Sequence, residues 1–213
     1  MEPSVRWERI QLDPGSWIDV ARGWLLGADD LLDALASRVA WHQGRRRMYD
    51  RMVDDPRLSR RYRDPGSVPH PVLADVRAEL AARYRVGLGP LALNYYRDGR
   101  DSVAFHRDRE LRRLDDTLIA IVTLGARRPF LVRPLAGTRR RSRDLAPGSG
   151  DVLVMGGACQ LAWEHGVPKV ARAGPRISAT WRWGASRSSG TISVVDTIGP
   201  TFATDESSSE VTS

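Results

Sequence analysis

The sequence predicts an α+β domain whose core is a β-sandwich or β-barrel. Two segments with helical periodicity come early in the chain, and several short segments with strand-like alternation follow them. Turn-forming pairs such as Asp98-Gly99 and Gly174-Pro175 separate these strand candidates. Helices followed by a run of short strands are typical of α+β domains with one packed β core.

Composition indicates one globular domain with a basic surface. The chain has 213 residues, of which 41% are hydrophobic and 28% are charged, and its formal net charge is +7. Lysine and arginine favour polyanionic partners because they release counterions from phosphates. The single cysteine, Cys159, excludes an internal disulfide and a multi-cysteine zinc site. No membrane helix and no secretory signal are visible, so we expect a cytoplasmic protein without a membrane partner.

The N-terminal part is expected to contain one or two short strands within the first 25 residues, followed by two helices. The first helix is capped by Asp29 or Asp30 and runs to about Trp41. Its apolar stripe consists of Leu31, Leu32, Leu35 and Val39. The second helix begins within 69–71, where prolines are tolerated in a first helical turn, and ends near Tyr84.

A basic segment, residues 42–68, lies between these helices. It holds eight arginines between Arg45 and Arg63, and its periodicity is poor, so we predict an irregular conformation. Charge runs usually face water, which favours a solvated surface loop. The alternative is a substrate lid, in which arginines bind phosphates while Met48, Tyr49 and Tyr62 stack on a base.

Beyond Gly87 the apolar pattern changes to period two, which predicts strands. The strand candidates are Leu91–Arg97, Val103–Arg107, Thr117–Leu124, Pro129–Pro134, Asp151–Met155 and Arg176–Trp183. The C-terminal residues, 185–213, are rich in Ser and Thr and keep a single aromatic residue. We therefore expect one folded domain over 1–184 and a mostly disordered tail over 185–213.

Three residues are candidates for a metal site. His106 and Asp108 are two positions apart on a predicted strand, so their side chains share one face. His165 follows a later strand and a glycine pair, where a turn can bring it over the same sheet. The ordinary alternative for His106 and Asp108 is a hydrogen-bonded pair without a metal. For His165 the ordinary alternative is a lone histidine in a loop. Together they match the facial triad of non-haem iron oxygenases, although zinc hydrolases also use two histidines and a carboxylate.

The last predicted strand alternates between two kinds of side chain. One face carries Arg176, Ser178, Thr180 and Arg182, and the other carries Ile177, Ala179, Trp181 and Trp183. A solvated outer strand would show this pattern too. In a barrel interior, however, each guanidinium must meet an anion, and a dicarboxylate such as 2-oxoglutarate supplies two. Asn94 and Tyr96, also on one strand face, are positioned to add neutral hydrogen bonds.

The order of these motifs resembles the AlkB family of DNA- and RNA-dealkylating dioxygenases. The resemblance covers residues 90–183 and is fainter over 45–65. Its elements are Asn94-x-Tyr96, His106-x-Asp108-x-Glu110, a late His165 and the Arg176 to Arg182 alternation, together with Thr123-Leu124-Gly125 and the segment 150–157. Several ordered motifs are a far more specific indication than any one of them.

The resemblance implies a double-stranded β-helix (jelly-roll) core with the N-terminal helices packed on one sheet. It implies that His106, Asp108 and His165 hold Fe(II), that 2-oxoglutarate is the cosubstrate, and that O₂ is consumed. Arg176 would pair with the distal carboxylate of 2-oxoglutarate, helped by Tyr96. Arg182 and Asn94 would lie at the carboxylate nearer the metal. Ser178 stands where some members carry Asn.

The implied activity is oxidative demethylation of bases such as 1-methyladenine and 3-methylcytosine in DNA, with release of formaldehyde, succinate and CO₂. The segment 42–68 would then be a nucleotide-recognition lid. The candidate substrate contacts are Arg57, Tyr62, Arg109 and Glu110, and Arg109 replaces an acid found in many members. The alternatives are the same chemistry on RNA, tRNA or another substrate, a non-catalytic basic nucleic-acid-binding protein, and a zinc hydrolase. No protein partner is implied.

Overall fold

The computed structural model describes residues 1–2, 4–48, 50–137, 141–186 and 193–194. In chain order the strands are β1 (Trp7–Asp13), β2 (Ser16–Ala21), β3 (Arg45–Met48), β4 (Arg51–Asp54), β5 (Leu58–Tyr62), β6 (Leu91–Tyr96), β7 (Val103–His106), β8 (Asp116–Gly125), β9 (Leu131–Pro134), β10 (Arg143–Asp144), β11 (Val152–Gly157), β12 (Trp163–Val167), β13 (Arg176–Ser186) and β14 (Ser193–Val194). The helices are α1 (Ala28–Arg38), α2 (Pro71–Tyr84) and α3 (Cys159–Ala162).

Two antiparallel sheets form the core. The major sheet has the order β1-β2-β11-β8-β13-β6-β5, with β14 paired to β13, and the minor sheet has the order β10-β9-β12-β7. One hydrophobic cluster contains Ile18 and Ile121 from the major sheet and Phe130 and Val132 from the minor-sheet side. The sheets therefore pack face to face, as the predicted sandwich requires.

The other face of the major sheet is covered by a second hydrophobic cluster. It contains Leu35 of α1, Leu73 and Val76 of α2, and Trp181 of β13, all of which are buried. Each such side chain contributes about 1.5–3 kcal/mol on full burial. Both faces of β13 are therefore buried, one against this apolar cluster and the other towards the space between the sheets.

The second helix agrees with its predicted bounds, but the first differs at both ends. The N-cap of α1 is Gly27, in the left-handed region at φ 67°, and it makes no side-chain capping bond. Asp29 and Asp30 lie in the first turn instead, where carboxylates favour the positive end of the helix dipole. The helix ends at Arg38 rather than Trp41 because Val39 is extended. The predicted aspartate cap is therefore wrong.

The prediction of an irregular conformation for residues 42–68 is also wrong. Strands β3 and β4 form a hairpin in which Arg46 pairs with Val53, and β5 forms the edge of the major sheet beside β6. All four residues of β4 are exposed, so this strand has no buried face and shows no apolar alternation in the sequence. Strand pairing, which depends on distant residues, creates the order here.

The C-terminal boundary also differs from the expected one. Strand β13 continues to Ser186, beyond the expected domain end at 184, and Ala185 pairs with Val194 of β14. The remainder of the predicted tail, 187–192 and 195–213, lies outside the described residues. Within the part of the chain that the structure describes, no helix is long and apolar enough to cross a membrane.

Candidate metal centre

The three predicted metal ligands come together at one end of the minor sheet. His106 is the last residue of β7, and His165 lies opposite it in the register of β12. Their ring centroids are 4.4 Å apart, and Asp108 Oδ1 lies 3.7 Å from His106 Nε2. One ligand atom from each residue lies within 4.8 Å of the other two. His165 is thus a strand residue and not the loop residue of the ordinary alternative.

The protonation states of this cluster suit a divalent metal, which needs neutral imidazole and ionised carboxylate. Burial, assisted by the neighbouring His106, lowers the pKa of His165 to about 3, so its imidazole is neutral. Burial opposes ionisation of Asp108, but the positive charge of Arg182 outweighs it with the help of both histidines and lowers the pKa of Asp108. The Asp108 side chain is therefore a carboxylate.

Neighbouring groups fix the orientation of both rings. Phe130 stacks on His165 with ring centroids 5.5 Å apart and an angle of 18° between the planes. His106 Nδ1 lies 2.9 Å from the carbonyl oxygen of Ala104, and a proton on Nδ1 makes this a hydrogen bond. The lone pair of His106 is then on Nε2, the atom nearer Asp108. Such outer contacts hold metal-binding histidines in one tautomer and orientation.

A buried cation lies on the facing sheet. Arg176 is 0% exposed, and its Nη2 donates to Thr123 Oγ1 at 3.3 Å, whereas Nε and Nη1 have no hydrogen-bond partner among the described residues. Burial lowers its pKa to about 10, which still leaves it protonated at neutral pH. A buried guanidinium with unpaired N–H groups is costly unless an anion meets it. Arg176 therefore suits a carboxylate ligand.

The other residues predicted around 2-oxoglutarate surround one cavity with the triad. Asn94, Tyr96, Ser178 and Arg182 line this space together with His106, Asp108 and His165. Antiparallel pairing of β6 with β13 places Asn94 beside Ser178, and Tyr96 beside Arg176. Arg182 also makes a contact that was not predicted, because its Nε donates to Asp108 Oδ2 at 2.5 Å.

A wider groove adjoins the cavity and contains most of the predicted substrate contacts. Arg57 lines both spaces and donates to the Tyr96 hydroxyl at 3.2 Å, and Arg109 and Glu110 lie along the groove. Tyr62 does not lie there, since it packs against the cluster beneath the helices. Alternation along β5 places Arg61 in the groove instead. The structure therefore separates Tyr62 from the other predicted substrate contacts, and it places Arg61, which was not among them, in the groove.

A comparison of the sequence with known families agrees with this geometry. Residues 59–189 match the profile of the 2OG-Fe(II) oxygenase superfamily, where 2OG denotes 2-oxoglutarate. The chain belongs to the 2OG-Fe(II) oxygenase superfamily. The predicted cofactors, Fe(II) and 2-oxoglutarate with O₂, are those of this oxygenase superfamily.

Within the oxygenase superfamily, the predicted AlkB resemblance is confirmed by individual relatives. Human alkB homolog 3, named an alpha-ketoglutarate-dependent dioxygenase, is 30% identical over an alignment 193 residues long, which covers 82% of this chain and 65% of the human protein. The mouse DNA oxidative demethylase ALKBH2 is 30% identical over an alignment 119 residues long, which covers 53% of this chain and 50% of that protein. The chain thus spans less than two thirds of the length of either protein.

The fold of this oxygenase is likewise shared with solved structures. The structure of OsALKBH1 superposes with a TM-score of 0.54 at 16% identity, over 82% of this chain and 99% of that one. This likeness supports the jelly-roll architecture and carries no information on substrate. It agrees with the two facing antiparallel sheets described above.

Two buried polar residues of the oxygenase core were not among the predicted site residues. Gln160 is 1% exposed and its Oε1 accepts a hydrogen bond from the backbone N–H of Asp108 at 2.8 Å. Arg128 donates to the carbonyl oxygens of Asp98, Asp101 and Pro168 at 2.8–2.9 Å, which joins the loops that flank β7 and β12. The sequence does mark Gln160, as a lone polar side chain within the apolar segment 158–162.

Proposed function

We propose that this oxygenase is an Fe(II)- and 2-oxoglutarate-dependent dioxygenase that demethylates alkylated bases in DNA, of the 1-methyladenine and 3-methylcytosine type. The observation that carries the proposal is the placement of the triad at one end of the minor sheet and of the buried, incompletely paired Arg176 on the facing sheet. A zinc hydrolase with the same triad has no use for such a cation. The name of the ALKBH2 relative, a DNA oxidative demethylase, supports the choice of substrate.

His106, Asp108 and His165 would hold the iron. When bound, iron supplies oxidation of an N-methyl group, coupled to decarboxylation of 2-oxoglutarate and followed by release of formaldehyde, succinate and CO₂. The Arg176 guanidinium, beside Thr123, binds the distal carboxylate through its unpaired N–H groups. Arg176 and Thr123 thus orient the cosubstrate by hydrogen bonds to its distal carboxylate. An acid with a shorter chain, or without a charged group at this end, cannot make these bonds.

The middle of the cavity has a different role. Ile119, Ile121 and Val167 line it together with Phe130, and their side chains exclude water from the space beside the triad. Asn94 and Ser178 add neutral hydrogen-bonding groups on the major-sheet wall. Exclusion of water from this part of the cavity strengthens the electrostatic contacts of the polar residues that also line it and protects reactive species.

The groove suits a nucleic acid strand. Arg57, Arg61 and Arg109 line it, and Arg61 and Arg109 are exposed. Arginines of this kind bind phosphates and fix the position of the strand. Methylation of the pairing edge weakens base pairing, so extrusion of the base into the cavity costs less. Glu110 supplies a negative charge near the cavity mouth, which favours the cationic ring of 1-methyladenine or 3-methylcytosine.

We assign segment 42–68 the role of a nucleotide-recognition lid. The β3–β4 hairpin presents Met52, which is 54% exposed, and Val53 next to basic residues. An exposed apolar pair on a charged hairpin suits contact with base faces, whereas a merely solvated loop gains nothing from it. Arg57 continues this segment directly into the cavity.

The test is formaldehyde and succinate release from matched DNA and RNA oligonucleotides that carry one 3-methylcytosine. Reactions contain Fe(II) and ascorbate, with or without 2-oxoglutarate, and the folded Asp108→Ala variant is the control. Formaldehyde release from DNA that needs both iron and 2-oxoglutarate is the expected result. Release from RNA alone would overturn the choice of DNA. Succinate without formaldehyde would overturn the nucleobase substrate, and absence of both products would overturn the dioxygenase.

A further inference from the structure

The short helix α3 lies between β11 and β12 and contacts the segment that carries Asp108. Its residue Gln160 is 1% exposed and accepts, through Oε1, the hydrogen bond of the Asp108 backbone N–H at 2.8 Å. A second hydrogen bond also joins this segment to α3, because Arg107 Nη1 donates to the carbonyl oxygen of Leu161 at 3.1 Å. The residues before and at the ligand Asp108 are thus both held by α3.

The helix is itself fixed to the major sheet. The backbone N–H of Ala158, its N-cap, donates to the carbonyl oxygen of Gly15 at 2.9 Å. Cys159 Sγ lies 3.3 Å from the carbonyl oxygen of Trp17. Strand β12 begins directly after α3 and brings His165 to the site. One anchored element therefore leads directly into the strand that carries His165 and also contacts Asp108 through Gln160.

Asp108 needs such support because it lies beyond the end of its strand. Strand β7 ends at His106, whose register partner is His165. The Asp108 carbonyl oxygen accepts a turn bond from the N–H of Leu111 at 3.1 Å, and its side chain meets Arg182. The N–H of Asp108 is held by Gln160, an amide brought from a part of the chain far away in sequence.

We propose that Gln160 is a positioning residue of the metal centre, which fixes the Asp108 backbone so that its carboxylate points at the two histidines. A buried glutamine whose amide only filled a gap in the core would not need to face the one ligand that lies outside the strands. Residues that orient metal ligands typically change metal affinity by about 10- to 100-fold when they are removed. The inference rests on the metal-binding part of the proposed function and not on its DNA substrate.

The test measures the affinity for Mn(II) in the presence of 2-oxoglutarate. The concentration of unbound Mn(II) is monitored through the electron paramagnetic resonance signal of the free ion. Gln160→Met keeps the size of the side chain and removes the acceptor, and it should weaken Mn(II) binding by about 10- to 100-fold. Gln160→Glu keeps an acceptor oxygen and should bind Mn(II) within about fivefold of the unaltered protein, since the bond to Asp108 survives. Leu161→Ala, on the same helix, retains the backbone carbonyl that Arg107 uses and should leave the affinity unchanged.

Equal affinity of the unaltered protein and a folded Gln160→Met variant would overturn the proposal, and so would equal losses in the Met and Glu variants. Failure of the unaltered protein to bind Mn(II) would instead overturn the metal centre itself.

Hydrogen exchange provides a measurement that needs no variant. The Asp108 amide of the unaltered protein should exchange at least about 100-fold more slowly than in an unstructured peptide. Exchange at the unstructured rate would show that Gln160 does not hold it.

Discussion

Arg182 on the major sheet donates from Nε to Asp108 Oδ2, and the two atoms are 2.5 Å apart. Asp108 follows the end of β7 in the minor sheet, and both side chains are largely removed from water. The positive charge of Arg182 keeps Asp108 ionised, which is the form a metal requires. The pair therefore prepares the metal site and also joins the major sheet to the segment that follows β7.

Removal of Asp108 should abolish turnover and also destabilise the fold. In Asp108→Ala the buried Arg182 loses its counter-ion, which costs about 3–5 kcal/mol in the free energy of unfolding. The double variant Asp108→Ala/Arg182→Met should recover most of that stability while remaining inactive. Succinate release and urea unfolding of the single and double variants measure the two effects separately. If the double variant is as unstable as Asp108→Ala, the pair does not account for the loss.

Arg176→Ala should raise the concentration of 2-oxoglutarate needed for half-maximal rate. Loss of a charge-assisted hydrogen bond of about 1.5–3 kcal/mol corresponds to roughly a 10- to 100-fold increase. The variant should also lose its preference for 2-oxoglutarate over 2-oxobutyrate, which lacks the distal carboxylate. Arg172→Ala, an exposed arginine near the start of the same strand, is the matched control. An unchanged requirement in Arg176→Ala would remove the residue from this role.

Arg61 and Arg60 offer a matched pair for the groove. Arg61 lines the groove, whereas Arg60 lies on the other face of β5 with its guanidinium 5.8 Å from the ring of Tyr62. Arg61→Ala should weaken binding of single-stranded DNA and reduce the slope of log affinity against log salt by about 0.7, the value for one lost phosphate contact. Arg60→Ala should leave the slope unchanged. Equal effects of both substitutions would point to general charge attraction and not to a strand bound in the groove.

Cys159 should be unreactive in the folded protein. Burial raises the pKa of its thiol to about 12, so almost no thiolate exists at pH 8. Because the folded pKa lies above the unfolded value, this thiol favours folding below about pH 9, and the contribution is lost as pH rises towards about 12. Labelling with a thiol reagent at pH 8 should therefore follow the unfolding rate. Fast labelling of the folded protein, compared with a urea-unfolded control, would contradict this burial.

The sequence predicts well those elements whose two faces have different chemistry. The alternation from Arg176 to Trp183 is visible because one face of β13 packs under the helices while the other faces the cavity. The bounds of α2 follow from its prolines and its apolar stripe. His106, Asp108 and His165 are recognisable from residue type and order, and the register of β7 and β12 brings them together.

Other features depend on partners that the local sequence does not reveal. All four residues of β4 in the β3–β4 hairpin are exposed, so this strand has no hydrophobic period. The register between β5 and β6 decides that Arg61, and not Tyr62, faces the groove, and a shift of one residue would exchange them. Gln160 lies 52 positions from Asp108, so only the folded chain shows their contact.

The register that sets His106 opposite His165 limits how the sequence of this protein can diverge. Two of the three candidate ligands are placed by hydrogen bonds between adjacent strands and not by the length of chain that connects them. Insertions or deletions in the loops between β8 and β11, which carry none of the three candidate ligands, are therefore compatible with an intact centre, provided that the pairing holds. A slip of a single residue between these strands would instead turn one imidazole away from the other. The molecule should thus tolerate divergence in loop length far better than any change in strand alignment.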